Sequence, residues 1–185
     1  MSDTFESVVK HFEAAEVLFR ADPEKQMVWA MLPSAGVNWM AFVSVEEGSL
    51  QVMAHHPLHI QEDKRSALAE FIVRVGPRNT LCRLEMDYDE GKLMTRTRMY
   101  FDPESSLNDE SIFAMISCPV FALDCVHPAV IAILHQGKTA AEAAGMLDEE
   151  GGAKQETPHA NRFNLPKPEG DVPWLELPEE GLQRN

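Results

Sequence analysis

The chain is poor in cysteine, in basic residues and in uninterrupted apolar runs, and each shortage argues against a class of protein. Its three cysteines, Cys82, Cys118 and Cys125, are odd in number and show no paired spacing, which is typical of a reducing compartment. Lysine and arginine total 16 against 30 acids, so the net charge is −14. Because so negative a chain repels nucleic-acid backbones and anionic membranes, we predict neither as a partner.

The sequence shows no clear segment for membrane insertion or export. Its longest apolar region, 112–134, is interrupted by Ser117, Pro119, Asp124 and Pro128. It therefore falls short of the roughly 20 continuous apolar residues that span a bilayer. The first residues do not place a basic segment before an apolar one, as a signal peptide does. Together with the cysteine usage, these features predict a cytoplasmic protein.

The short motifs of many enzymes are missing as well. The sequence contains no glycine-rich dinucleotide or phosphate loop and no Gly-x-Ser-x-Gly nucleophile elbow. His127 follows Cys125 by only two residues, a spacing that does not suggest an ordinary nucleophile–base pair. We therefore predict a protein that is not an enzyme, with no catalytic residues, no bound metal and no cofactor.

The composition divides the chain into one domain and a tail. A chain of 185 residues with 44% hydrophobic content can bury a core without disulfides or metals. Residues 148–185 differ from the rest, because they carry nine acids, four bases and five of the twelve prolines. We predict a domain over residues 1–147 and an acidic tail over residues 148–185.

Hydrophobic periodicity predicts an α+β fold for the domain. Steps of three and four residues indicate helices, whereas alternation and tight turns indicate paired strands. The predicted helices are 4–20, 61–75, 109–135 and a short one at 139–147, with a break or bend expected at Pro119 and considered at Pro128. The predicted strands are 27–32, 38–46, 49–55, 81–88 and 93–101. The order α-βββ-α-ββ-α gives a twisted, largely antiparallel five-stranded sheet flanked by helices.

Several stretches resemble the YbjN family of sensory transduction regulators. They are the helix 61–75, Asn79, the turn 85–91, the strand 94–97, Asp109-Glu110 and His127-Pro128. With the order of elements, the resemblance covers residues 4–136, and the chain departs from the family at Leu81-Cys82, where a glycine is expected. The resemblance implies the fold of type III secretion chaperones, which are often dimeric and bind extended client segments. It implies no catalytic residues.

Three aromatic residues on the predicted strands are candidates for partner binding. Trp29, Trp39 and Phe42 belong to a sheet whose two faces both carry apolar side chains. Such a sheet is either covered by helices on both sides or presents one face to a partner. The sequence leaves both alternatives open. We predict a protein or peptide partner of unknown identity and a homodimer.

The tail contains two apolar clusters within a polar segment. One comprises Phe163 and Leu165, and the other comprises Trp174, Leu175 and Leu177. Large apolar side chains of this kind anchor protein contacts. We hypothesise that Trp174, Leu175 and Leu177 bind the apolar surface of the domain, either of the same chain or of a second copy.

An alternative function depends on histidine or cysteine. His55, His56 and His59 are three imidazoles within five residues, which could form part of a metal site in a metal-dependent or small-molecule-binding protein. A polar loop after a strand explains the same residues. Cys118 and Cys125 are seven residues apart and would share a face of a continuous helix, where they are either buried small residues or a redox pair.

Overall fold

A computed structural model describes residues 3–78, 82–102 and 107–150. The described elements are α1 (Asp3–Ala14), β1 (Leu18–Asp22), β2 (Met27–Ser34), β3 (Val37–Glu46), β4 (Ser49–His59), α2 (Glu62–Val75), a 3₁₀ turn (Gly76–Arg78), β5 (Arg83–Asp87), β6 (Lys92–Tyr100), α3 (Asp109–His135) and α4 (Ala140–Glu150). The six strands form one antiparallel sheet in the order β1-β2-β3-β4-β6-β5. The α+β class and the antiparallel sheet are confirmed, whereas the prediction of five strands is one too few.

The additional strand comes from the segment that follows α1. The predicted helix 4–20 ends at Ala14, and Glu16 adopts a positive φ of 53° before β1 begins at Leu18. The ring of Phe19 stacks on that of Phe12 at 5.7 Å between centroids. Phe19 lies on β1 and packs against the core, and it would also have faced the core as the last turn of a longer helix. Apolar spacing alone therefore could not distinguish the two conformations.

All helices in the described part of the chain pack on one face of the sheet. Strand residues largely alternate between this buried face and the opposite one, as the pleat requires, and β4 shifts register between His55 and His59. The buried face comprises Val28, Ala30, Leu32, Trp39, Ala41, Val43, Leu50, Val52, Ala54, His56, Leu84, Leu93 and Thr95. The helices add Phe5, Val8, Phe12, Leu68, Phe71, Ile116, Leu123 and Ile133 to the same core.

The helix α3 is continuous from Asp109 to His135 through both Pro119 and Pro128, so of the predicted break or bend at Pro119 the break is wrong. An internal proline removes a helical hydrogen bond, but tertiary packing can outweigh that loss. Pro119 is buried, and its carbonyl accepts a hydrogen bond from the hydroxyl of Thr95 at 2.8 Å.

By length and composition alone, α3 is long and apolar enough to cross a membrane. However, 56% of its apolar 18-residue stretch is buried inside the fold, as in the core helix of a globular protein.

The two C-terminal helices both begin with side-chain caps. The side chain of Asn108 accepts the backbone N–H of Ser111 at 2.8 Å, and Thr139 and Glu142 form a reciprocal capping box. α4 continues to Glu150, beyond the predicted boundary at residue 147. Trp174, Leu175 and Leu177 lie outside the described residues.

The turn between β5 and β6 requires a glycine. Gly91 has a φ of +64°, and its carbonyl accepts the backbone N–H of Ile60 at 2.8 Å. A Cβ atom added to Gly91 would lie 2.3 Å from the carbonyl oxygen of Ile60. This close approach joins the end of β4 to the β5–β6 turn.

We expect Gly91→Ala to lower the free energy of unfolding by about 2 kcal/mol or more, because the left-handed conformation and the backbone clash both disfavour a Cβ. Gly145→Ala in α4 is the matched control, since its Cβ would meet no other described atom within 4 Å. We expect this control to raise the free energy of unfolding by up to about 1 kcal/mol, because alanine has a higher helix propensity than glycine. Urea denaturation of both variants measures the difference, and equal stabilities would contradict the close contact.

Candidate functional site

The sheet face opposite the helices forms a broad surface that we call the open face. Strand register places its side chains in rows that cross the sheet. One row runs Arg20, Trp29, Phe42, Met53, Arg96, Arg83, and the next runs Leu18, Met31, Met40, His55, Met94, Glu85. Within the described ranges no helix packs on this face. The alternative in which helices cover both faces is therefore not realised by residues 3–78, 82–102 and 107–150.

Methionine dominates the centre of the open face. Five of the ten methionines in the chain, Met27, Met31, Met40, Met53 and Met94, lie there. Met40 is 39% exposed and Leu18 is 46% exposed, while Trp29 and Phe42 are half-buried among their neighbours. Because methionine is flexible and polarizable, a surface of this composition adapts to differently shaped apolar partners.

Arginine frames the apolar centre at both ends of the first row. Arg20 lies on β1, and Arg96 and Arg83 lie on β6 and β5. A guanidinium nitrogen of Arg96 is 3.1 Å from the carboxylate of Glu85, with both side chains partly exposed. No acid occupies this row, although acids outnumber bases almost two to one in the whole chain.

The structure separates Trp39 from the other two candidate aromatics. Trp29 and Phe42 are directly paired neighbours on the open face. Trp39 instead has no exposed surface and lies on the helix side, where its indole N–H donates to a carboxylate oxygen of Asp124 at 2.7 Å. We therefore correct the assignment of Trp39 as a partner-binding residue. Its position follows from the alternation along β3, which places Trp39 and Met40 on opposite faces.

Asp124 links α3 to the end of β2 and to β3. Its second carboxylate oxygen accepts a hydrogen bond from the hydroxyl of Ser34, so both oxygens have a donor. A serine nucleophile requires a base, usually an imidazole, in contact with its hydroxyl. Here the hydroxyl of Ser34 contacts a carboxylate, and the nearby His127 bonds to His56. The cluster orients α3 and does not form a catalytic triad.

The two imidazoles of this cluster form a direct hydrogen bond. His56 Nε2 and His127 Nδ1 are 3.0 Å apart, and the backbone N–H of Leu58 donates to His56 Nδ1 at 3.2 Å. His56 Nδ1 is therefore the acceptor, so neutral His56 carries its proton on Nε2 and donates it to His127. Burial, together with the neighbouring His127, lowers the pKa of His56 from 6.5 to about 4.

The three histidines of the alternative metal site do not converge. His55 lies on the open face, where its ring meets that of Phe42 edge-on at 4.8 Å. His56 points to the helix side, and His59 is exposed at the end of β4. Among the residues that the structure describes, no group of three or more His, Cys, Asp or Glu side chains is arranged to hold a metal ion. The geometry therefore gives the metal alternative no support.

Ser34, Asp124 and His127 belong to one cluster that their positions in the sequence do not indicate. Asp124 lies in the middle of an otherwise apolar helix, and His127 follows it one helical turn later. A lone acid on a buried helix must find hydrogen-bond donors, which is the signal that could have pointed to this contact.

Comparisons of the chain with protein-family models, curated proteins and solved structures find no match. Membership of the YbjN family stays a prediction.

We expect the stability of the protein to fall as the pH is lowered from 6.5 towards 4. In this window the unfolded chain binds a proton at His56 that the folded state excludes, which costs up to about 3 kcal/mol. Burial also lowers the pKa values of His11 and His55, which adds to the trend. His56→Gln should flatten the pH dependence of the unfolding free energy, whereas His59→Gln at an exposed position should preserve it. Equal slopes in both variants would contradict this assignment.

Proposed function

We propose that the chain is a non-enzymatic polypeptide-binding protein whose open face receives an extended segment that combines apolar side chains with carboxylates. The observation that carries the proposal is the open face itself, with Trp29, Phe42 and five methionines in the centre of an otherwise acidic protein. A contiguous apolar surface that is partly exposed, as this one is at Met40 and Leu18, is typical of interaction sites. Burying one such large side chain contributes about 1.5–3 kcal/mol.

The arginines define the chemistry of the segment. Arg20 lies at one end of the first row. Arg96 and Arg83 lie at the other end, where they share the single carboxylate of Glu85 and so leave one net positive charge that can attract a carboxylate of a partner. Charge complementarity mainly sets specificity and association rate, while the apolar centre supplies affinity. A segment with aromatic or aliphatic anchors between flanking acids therefore fits this face better than a basic or uncharged one.

Residues 169–180 of the chain have this composition, and we propose that they occupy the open face. They contain five acids and no base around Trp174, Leu175 and Leu177. Eighteen residues separate this segment from the end of α4 at Glu150. In extended form they reach about 60 Å, which exceeds the diameter of a domain of this size. The protein would then mask its binding face until a partner segment displaces its own.

The resemblance to the YbjN family agrees with this proposal, since a type III secretion chaperone-like fold implies the capture of extended polypeptides. The antiparallel sheet with helices on one side is compatible with that fold. Dimerisation and a cytoplasmic location remain predictions from the sequence.

The test uses the full-length chain with Trp174, Leu175 and Leu177 all replaced by serine. We expect this variant to bind more of an apolar fluorescent dye than the natural sequence does, because its open face is uncovered. A fluorescein-labelled synthetic peptide of residues 169–180 should bind it, and Met40→Glu in the same background should weaken that binding tenfold or more, equivalent to about 1.4 kcal/mol.

Val73→Glu is the matched control, since Val73 is 75% exposed on α2, on the helix side of the sheet. We expect it to leave peptide affinity unchanged. Equal weakening by both substitutions, or unchanged dye binding by the triple serine variant, would contradict the proposal. A change from dimer to monomer on Met40→Glu, without an effect on the peptide, would assign the open face to a second copy of the chain.

A further inference from the structure

The sulfur atoms of Cys82 and Cys118 meet between the sheet and α3. Cys82 directly precedes β5, and Cys118 lies near the middle of α3, 36 positions later. Their Sγ atoms are 2.6 Å apart, which is closer than van der Waals contact of two sulfurs. The partner of Cys118 in this contact is therefore Cys82, and not Cys125 as the sequence-based redox alternative supposed.

The two thiols differ in their acidity. A hydrogen bond from the thiol of Cys82 lowers the pKa of Cys118, and the same hydrogen bond together with burial raises the pKa of Cys82. Cys118 is also only part-buried whereas Cys82 is buried, and this difference in exposure together with the two pKa directions favours Cys118 as the sulfur that ionises first. Since the thiolate is the nucleophile in oxidation and exchange, Cys118 is the reactive member of the pair.

The Cys82–Cys118 pair lies beside a cleft that is open to solvent. Cys118 is only part-buried, and Cys82 lines an open cleft of about 590 Å³ together with Ile72, Gly76 and Met86. A small oxidant can therefore approach the pair without unfolding of the domain. Arg83 and Glu85 of the open face also line this cleft, so it lies at the edge of the sheet along β5.

We propose that Cys82 and Cys118 are a redox site, which a hydroperoxide converts reversibly into a disulfide that joins β5 to α3. The Cys118 thiolate attacks one peroxide oxygen, the O–O bond breaks, and Cys118 becomes a sulfenic acid while hydroxide or alkoxide leaves. The sulfur of Cys82 then attacks the Cys118 sulfur, and the sulfenic oxygen leaves as water with the Cys82 proton. The pair loses two electrons to the peroxide, and a dithiol reductant restores both thiols by exchange.

The disulfide would link the edge strand β5 covalently to α3. Within the described part of the chain β5 is an edge strand that pairs with β6 alone, and Cys82 directly precedes Arg83 of the open face. A disulfide between positions 82 and 118 would hold the start of β5 on α3, close to the existing contact between Thr95 and Pro119. It would therefore stabilise the domain and fix one arginine-bearing end of the open face.

The full-length protein is treated with a small molar excess of hydrogen peroxide, and its thiols are counted with a maleimide reagent in denaturant. We expect the count to fall from three to one and to return to three with a dithiol reductant. The melting temperature of the oxidised form should rise by about 5 °C or more, since the crosslink closes a long loop.

Peptide mapping identifies the linked residues. Cleavage by trypsin and by an Asp-specific protease separates Cys82, Cys118 and Cys125 into peptides 79–83, 109–123 and 124–138. We expect peptides 79–83 and 109–123 to be joined without reductant and to have lost two hydrogen atoms.

Variants of each cysteine complete the test. Cys125→Ser is the matched control and should keep both the crosslink and the rise in melting temperature. Cys118→Ser, and independently Cys82→Ala, should lose both, and Cys118→Ser avoids altering the fully packed position 82. Retention of three thiols after oxidation, a bond to Cys125 or a bond between two chains would overturn the proposal.

Discussion

The contact between α3 and one face of the sheet is the constraint on which the rest of the molecule depends. α3 touches the other three helices and the strands β2, β3, β4 and β6. Most of that contact is apolar and does not by itself fix the position of α3 along the sheet. Asp124 does, because its part-buried carboxylate accepts hydrogen bonds from the side chains of Ser34 and Trp39. The His56–His127 hydrogen bond adds a second directional contact one turn later. These polar bonds fix where α3 lies, and the apolar core supplies the stability.

The open face is a consequence of this one-sided arrangement. All described helices lie on the same side, so the alternating strand residues on the other side meet no helix in those ranges. A sheet with one solvated face usually carries polar residues there. β2 and β3 instead place Trp29, Phe42 and three methionines on this face, where no helix of the described residues covers their apolar surface. This mismatch between pattern and burial is the physical reason to assign the face to a binding function.

The sequence was sufficient to predict those features of the structure that depend on a local pattern of residues. Alternation along β3 placed Trp39 and Met40 on opposite faces, and the caps at Asn108 and Thr139 follow from short-range hydrogen bonding. It was insufficient where distant parts of the chain compete with local preference. The helix continues through Pro119 because the core buries it, and Phe19 can face the core as helix or strand. Contacts such as Ser34 with Asp124 join positions 90 apart, which no spacing rule encodes.

β5 connects the two proposed activities of the molecule. Edge strands are the least restrained parts of a sheet, because one side of their backbone has no neighbouring strand. The charged end of the open face, with Arg83 and Glu85, lies on this strand, and Cys82 directly precedes it. A disulfide to Cys118 would therefore restrain the strand that presents these charges, while leaving Trp29, Phe42 and the methionines unchanged. Oxidation would then affect the electrostatic part of recognition more than the apolar part, so association rates should respond more strongly than dissociation rates.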